Sequence, residues 1–301
     1  MSIELRSYAK INWTLDVLFR REDGFHELRT VYQTVSLYDS LHLIPTSGEI
    51  EISCDDSRVP CDETNLAHRA AVLLREAAGT KEGVRIEITK RIPVAGGLGG
   101  GSSNAALVLL GLARLWKVEM DHRRTIEIAM SLGSDVPFFL VGGTALGIGR
   151  GEEVYPIEQV KCDSLVLVNP GFAVSTAAAY SKLSRLTRQE TVRIIPLTLL
   201  AAKGIRELPL AAGNDLEEVV EAAYPEIAEV KRRLLSLGAR RALMSGSGAT
   251  VFGVFDNSEA SKRAQSEMRA AGYWSERARA INRQQYWDTI FDQAEPLRDS
   301  T

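Results

Sequence analysis

Five of the six residues from Gly96 to Gly101 are glycine, and Ser102, Ser103 and Asn104 follow at once. A packed element disfavours such a run, because glycine costs ~1 kcal/mol in a helix interior and gives a strand nothing to pack. The run suits anion binding instead. It lets backbone N–H groups turn inward around a charge with no Cβ in the way. A helix starting at Ser102–Asn104 would add unpaired N–H groups and the positive end of its dipole. The pattern therefore predicts a backbone cradle for a polyphosphate. Ser102 and Ser103 could cap that helix, touch phosphate oxygens or help to hold Mg²⁺. A plain turn before a serine cap would need fewer glycines.

Two familiar nucleotide loops do not fit. G-x-x-x-x-G-K-[ST] needs a lysine before the hydroxyl residue, and here Gly101 precedes Ser102. G-x-G-x-x-G starting at Gly97 needs glycine where Ser102 stands. A second glycine turn, Ser245-Gly246-Ser247-Gly248-Ala249-Thr250, ends in Val251 where that pattern needs its last glycine. By itself it also fits a tight turn between two strands.

These residues need elements to position them. Ile3, Leu5, Ile11, Trp13, Leu15, Val17 and Phe19 are odd-numbered, while Glu4, Arg6, Lys10, Asn12, Thr14 and Asp16 are even. A period of two predicts one strand, or two with a bend near Ser7–Ala9. It places Lys10 and Asn12 together on the face opposite the core. Asp23-Gly24 predicts a hairpin turn into a second extended run over 25–37. That turn would bring Phe25 and His26 back to the far end of the first strand. Further strands are expected at 49–53 and 84–89, and helices over 65–78, 104–116 and 121–132. The 104–116 segment is apolar on nearly every side, as a buried central helix would be. A second unit begins near 157–164. Its expected strands are 164–168, 242–244, 250–255 and a stretch near 273–281; its helices are 215–223, 225–237 and 258–271. Residues 187–212 read as irregular and mobile, and the tail from Asp292 as polar and frayed. No repeat or low-complexity linker separates the halves, so they should pack directly together.

At ~150 residues per domain, 301 residues leave room for two. A formal charge of −3 offers no general attraction to nucleic acid or an anionic membrane. Cys54, Cys61 and Cys162 form no C-x-x-C pair, and the histidines show no ligand spacing with them. Structural zinc and a disulfide framework are thus not expected, and reduced thiols in a cytoplasm are. No basic start followed by an apolar core heads the chain. The uncharged stretch from Ile92 to Ala113 opens too polar to span a bilayer.

Taken together, these segments resemble the GHMP kinases. Pro93–Ala106, with Gly-Leu-Gly-Gly-Gly-Ser-Ser-Asn-Ala-Ala at 97–106, resembles their phosphate loop, and Ser245–Thr250 their C-terminal glycine motif. Ala9–Asn12, Asp23–Leu28, Gly133–Phe138 and Gly213–Glu217 are similar to the branch that acts on a CDP-linked methylerythritol. The resemblance implies an α+β, two-domain GHMP kinase fold. Residues 1–157 would form an N-terminal domain like domain 2 of ribosomal protein S5, with the ATP phosphate loop and the catalytic residues. Residues 158–301 would form a ferredoxin-like C-terminal domain. It also implies a reaction: ATP, with Mg²⁺, phosphorylates the 2-hydroxyl of the methylerythritol part in non-mevalonate isoprenoid synthesis.

Roles follow residue by residue from the match. Asp135 falls at the catalytic aspartate and Lys10 at the catalytic lysine. With an ordinary pKa of ~3.9 an exposed aspartate is a weak base at neutral pH, so orienting the hydroxyl is an alternative to taking its proton. Lys10 would balance charge on the transferring group. ATP contacts are implied for Asn65, Pro93, Val94, Ala95, Gly96, Gly97, Leu98, Gly99, Gly100, Gly101, Ser102 and Ser103. Asn65 serves equally well as a helix N-cap. Asn214 and Asp215 precede a helix, and capping is at least as good a role for them. Asn12, Phe25, His26 and Tyr180 fall at positions for the CDP substrate, with aromatic faces to stack on cytosine and a histidine to read its edge. Relatives often carry tyrosine where this chain has Phe25; stacking survives that change and a hydroxyl contact does not. Ser103 is a candidate Mg²⁺ ligand, with no acidic partner evident besides Asp135. The expected partners are the CDP-linked small molecule and ATP, with no nucleic acid and no membrane, in a monomer or homodimer. Two alternatives stand beside this reading: a GHMP kinase for another alcohol, and a kinase-derived sensor without catalysis. The Asp-Gly-Phe-His turn argues against the first, and the presence of both Lys10 and Asp135 against the second.

Overall fold

A computed structural model describes residues 2–119, 121–183 and 213–291. Strands β1 (Ile3–Arg20) and β2 (His26–Thr46) form one long antiparallel hairpin, paired from Ile3↔Leu43 to Arg20↔His26. Gly24 turns it at φ 85°, a left-handed conformation that glycine adopts freely. The register shifts between Tyr8 and Ala9, between Asn12 and Thr14, and between Val17 and Phe19. The first shift lies at the expected bend; the strand continues through it. Strands β3 (Ile50–Cys54), β4 (Gly83–Thr89), β5 (Thr144–Gly149) and β6 (Glu153–Pro156) complete this sheet with the short β8 (Gly213–Asn214), which pairs with β1. Neither β5 nor β6 was expected: the glycines within 144–149 weaken the signal of β5, and β6 has only four residues.

Helices α1 (Leu66–Ala78), α2 (Gly100–Leu115) and α3 (His122–Leu132) cover one face of the sheet. Their core joins Leu5, Leu41, Leu43 and Ile86 to Ala70, Leu74, Leu109 and Leu112. The short α4 (Val136–Phe139) follows α3. Helix α2 begins earlier than expected. Gly99 is its N-cap, left-handed at φ 70° and without a side-chain cap bond, so Ser102 and Ser103 lie inside the first turn and do not cap it.

The second sheet runs β11 (Trp274–Ala278), β7 (Leu165–Asn169), β10 (Val251–Val254), β9 (Arg241–Met244), all antiparallel. Between β7 and β9 lie α5 (Thr176–Leu183), α6 (Glu217–Ala223) and α7 (Pro225–Ser236), and between β10 and β11 lies α8 (Ser258–Ala270). This is the β-α-β-β-α-β order of a ferredoxin-like unit. The halves do pack directly. Ile11, Trp13 and Val35 share a core with Leu165, Leu167 and Phe252, and the Trp13 and Phe252 rings meet edge to face at 5.5 Å. The 187–212 segment and the tail from Asp292 lie outside the described residues. Among those described, no helix is long and apolar enough to cross a membrane.

Beyond β11 the chain returns to the first sheet. Helix α9 (Arg283–Thr289), closed by an Asn282–Gln285 capping box, buries Tyr286 in the first core. Bridges at Val35↔Ala280 and Leu5↔Phe291 flank it. The residues assigned to a second unit over 158–301 thus include a final segment packed on the first.

Candidate active site

A cavity of about 1110 Å³ opens between the two sheets. Strand β1 reaches it with Lys10 and Asn12, which share a face as their spacing predicts. That face is not open to solvent: the glycine loops and the second sheet enclose it, and the Lys10 side chain is only 4% exposed. Its Nζ donates to Asn12 Oδ1 at 2.8 Å and pairs with Asp135 Oδ2 at 3.2 Å. The other Asp135 oxygen accepts the Tyr32 hydroxyl at 3.0 Å. Burial first, and the Asp135 charge second, push the Tyr32 hydroxyl well above its ordinary pKa. Tyr32 therefore stays protonated and stays a donor. Asp135 stands at the N-cap of α4 without bonding its backbone, so its carboxylate is free to face the cavity, 31% exposed. An ammonium, a hydroxyl and a carboxylate so arranged can hold an alcohol, take or share its proton and neutralise charge on an incoming group.

The glycine run lies beside them. Ala95, Gly97 and Gly99 are all left-handed, with φ of 53°, 76° and 70°. At the start of α2 the N–H groups of Gly100, Gly101 and Ser102 have no acceptor within the helix. The second glycine turn braces the first. Ser245 Oγ donates to the Gly97 carbonyl at 3.0 Å, and the Thr250 N–H donates to the Gly96 carbonyl at 3.1 Å. A Cβ on Gly97 would collide with the Ser245 carbonyl. The Ser245–Thr250 segment is thus both the strand–strand turn and a wall of the cavity, which Gly246, Ser247 and Gly248 line.

Of the residues expected to touch ATP, Ala95, Gly97, Gly99 and Ser102 line the cavity. Pro93, Val94, Gly96, Gly100 and Gly101 stand outside its lining, and Leu98 points into the shared core. Asn65 is also outside: its side chain caps α1 through Ala67 N–H at 2.9 Å and donates to the Pro60 carbonyl at 2.7 Å. Ser103 is buried, and its hydroxyl receives that of Ser7 at 2.8 Å, so it does not face a metal in the cavity. Asn214 and Asp215 do not cap α6. Asn214 donates to the Met244 and Gly246 carbonyls at 2.9 and 2.7 Å, and Asp215 accepts the Val17 N–H at 2.9 Å. Asn214, which pairs with β1, holds the second glycine turn to it, while Asp215 bonds β1 alone.

At the far end of the cavity Phe25, His26 and Tyr180 come together, with Tyr180 on His26 and Phe25 at the mouth. Tyr180 stacks on His26, with centroids 5.3 Å apart and planes 25° from parallel. Phe25 is 54% exposed at the mouth, under the Arg150 guanidinium at 4.8 Å. Burial, with the Arg20 charge second, lowers the His26 pKa from 6.5, so its ring is neutral at pH 7. Its Nε2 is buried with no hydrogen-bond partner among the described residues. Asn12 lines the cavity with its amide spent on Lys10 and Thr30. Tyr32 and Arg150 were not anticipated. Tyr32 pairs directly with Asn12 across the hairpin, a register that the bulges hide from a count along the sequence.

Asp135 is the single carboxylate among the cavity-lining residues, and no cluster of three metal-ligating side chains occurs among the described residues. Mg²⁺ prefers six oxygens and commonly takes most of them from phosphates and water. The donor set fits an ion delivered on a nucleotide, with Ser102 as the nearby hydroxyl, and does not form a protein cage.

Comparison with known proteins agrees with this geometry. Residues 65–143 match the family described as GHMP kinases N terminal domain, and residues 197–273 match GHMP kinases C terminal. A Geobacter sulfurreducens protein named 4-diphosphocytidyl-2-C-methyl-D-erythritol kinase is 43% identical over 280 residues, 93% of this chain and 99% of that one. The chain belongs to the GHMP kinase family. A solved structure of a 4-(cytidine 5'-diphospho)-2C-methyl-D-erythritol kinase superposes on this GHMP kinase with a TM-score of 0.76 and 39% identity, covering 92% of this chain and 99% of that one. Homoserine kinase from Cytophaga hutchinsonii superposes with a TM-score of 0.70 at 21% identity, over 94% and 96% of the two chains. That likeness reflects the shared fold.

Proposed function

We propose that this GHMP kinase transfers the γ-phosphoryl group of ATP to the 2-hydroxyl of 4-diphosphocytidyl-2-C-methyl-D-erythritol, in non-mevalonate isoprenoid synthesis. One observation carries the reading. A single cavity holds the Lys10–Asp135 pair beside the glycine loop and the His26–Tyr180 stack at its other end. The names of the relatives at about 43% identity support it. The inward N–H groups of 97–102 cradle the triphosphate. His26 and Tyr180 hold the cytosine, and Phe25 and Arg150 close the mouth. The methylerythritol then lies against Asp135, which orients its 2-hydroxyl and takes the proton as the phosphoryl group arrives. Tyr32 and Lys10 hold both oxygens of that carboxylate in place, and Lys10 offsets negative charge near the γ-phosphate. Phosphoryl transfer asks for little covalent chemistry from a protein, so positioning and charge are what these side chains supply. Mg²⁺ would come with ATP, held by phosphate oxygens and the Ser102 hydroxyl, and would neutralise phosphate charge. Three reduced thiols suit a cytoplasmic location.

The test is turnover of ATP by the purified protein against a panel containing the CDP-linked alcohol, mevalonate and homoserine, with products read by ³¹P NMR. Phosphorylation of the CDP-linked alcohol at its 2-hydroxyl is expected. Turnover of mevalonate or homoserine without it would overturn the reading.

A further inference from the structure

Behind the glycine loop, away from the cavity, lies a buried ion pair that the chemistry above does not use. Lys90 Nζ meets Asp39 Oδ2 at 2.7 Å, with the side chains 6% and 0% exposed. Its partners are all parts of the phosphate loop's frame. Asp39 Oδ1 accepts the N–H groups of Arg91 and Ile92, both at 2.8 Å, just before the loop leaves at Pro93. Lys90 Nζ donates a second bond to the Ile92 carbonyl at 2.7 Å. On the other side of the loop, a Cβ on Gly100 would stand 2.9 Å from Lys90 Nζ, so the ammonium lies directly under the first turn of α2. Asn104, in the amide orientation that satisfies its neighbours, donates to the Gly100 carbonyl at 3.1 Å, Asp39 Oδ2 at 3.3 Å and Ser7 Oγ at 2.6 Å. The Ser7 hydroxyl in turn donates to Ser103 Oγ at 2.8 Å.

We propose that Asp39 and Lys90 are positioning residues for nucleotide binding: one strut that fixes both ends of the 93–99 loop, so that its N–H groups are aimed before ATP arrives. This rests on the reading of residues 95–102 as the triphosphate cradle. The physical case has two parts. A loop rich in glycine loses much chain entropy when it is ordered, and ordering it in advance removes that cost from binding. The pair is also neutral as a unit. A lone carboxylate under the start of α2 would oppose a triphosphate, and the ammonium cancels it at contact distance.

The test separates this role from plain support of the fold. Removing one partner leaves a buried charge and destabilises, whereas replacing both by apolar side chains of similar volume is often tolerated. The informative protein is therefore the double variant Asp39→Leu/Lys90→Met, with Asp39→Asn as a milder second. ATP binding is measured by calorimetry, and KM for ATP and for the alcohol by steady-state kinetics. The double variant leaves the Arg91 and Ile92 N–H groups without their acceptor, so it should melt below the parent protein yet fold, bind ATP roughly tenfold more weakly and keep its KM for the alcohol within about twofold. Asp39→Asn keeps an acceptor for the Arg91 and Ile92 N–H groups but leaves Lys90 without its counter-charge, so it should melt below the parent and show the same split to a smaller degree. Parental ATP affinity in a folded double variant would overturn the proposal, as would an equal rise in both KM values. If the double variant does not accumulate, the split or its absence in Asp39→Asn decides. Ser102→Asp tests the cradle separately. It puts a carboxylate on the cavity wall where a helix N-terminus tolerates one. Weak ATP binding in Ser102→Asp with parental binding in the double variant would remove the strut and leave the cradle. Parental binding in both would remove the cradle itself.

Discussion

Asp135 is held from two sides, by Lys10 at 3.2 Å and by Tyr32 at 3.0 Å, and neither contact depends on substrate. Asp135→Asn should therefore keep ATP and substrate affinity close to the parent's and lose turnover by ~10²–10⁴-fold, read from kcat in steady state. Turnover near the parent's would take Asp135 out of the chemistry. His26 gives a pH signature. Its folded pKa lies below 6.5, so in acid the unfolded chain takes up this proton before the folded site does. The neutral ring then persists from pH 7 down past 6.5, and KM for the CDP-linked substrate should rise only below that point. His26→Gln should flatten this acid limb; a limb that survives belongs to another group. At this scale the sequence shows which residues meet in the cavity where a residue type and its motif coincide, as for Lys10, Asp135, His26 and Tyr180. It was silent on Tyr32, because three register shifts break the counting that would pair it with Asn12. Ser103 cannot be told from Ser102 there, because two adjacent serines look alike until a helix phase assigns one to the cavity and the other to Ser7.

Between elements, the two glycine motifs are one construction. The residues 96–97 and 245–250 bond to each other across the sheets, and Gly97 has no room for a Cβ at the contact. Gly97→Ala pushes a Cβ into the Ser245 carbonyl and strains a left-handed backbone at once. It should cost ~1–3 kcal/mol of stability and weaken ATP binding, both measurable by thermal melts with and without nucleotide. A melt and an ATP affinity like the parent's would show that the loops do not rely on this contact. Most strands and helices could be placed from periodicity and turn residues. Strands β5 and β6 could not: glycine at 147 and 149 erases the alternation in β5, and β6 is only four residues long. The start of α2 was set late because a helix whose first two residues are glycine gives no propensity signal there.

Across the whole molecule, the reaction is assembled between two sheets that share a core through Trp13 and Phe252, and it is steadied by the end of the chain. The Tyr286 hydroxyl donates to the Phe139 carbonyl at 2.5 Å, and Trp287 Nε1 to the Val141 carbonyl at 3.1 Å. Both carbonyls follow closely on Asp135. Phe139 also packs under Gly99, whose Cβ would stand 3.0 Å from its ring. Tyr286→Phe leaves a buried carbonyl unpaired and should cost ~1–3 kcal/mol, with kcat falling more than either KM. An unchanged melt with unchanged kcat would show that α9 merely covers the core. Nothing in the sequence near 283–289 points to a partner so distant along the chain, and long-range returns of this kind leave no local trace. They do affect how the enzyme comes into being. A ribosome finishes Lys10, the glycine loop and Asp135 long before it reaches Tyr286. Each newly made chain therefore carries its chemistry before it carries the means to seat it, and a transcript cut short of Ile281 would encode every reacting group and lack the Tyr286 and Trp287 bonds beside Asp135.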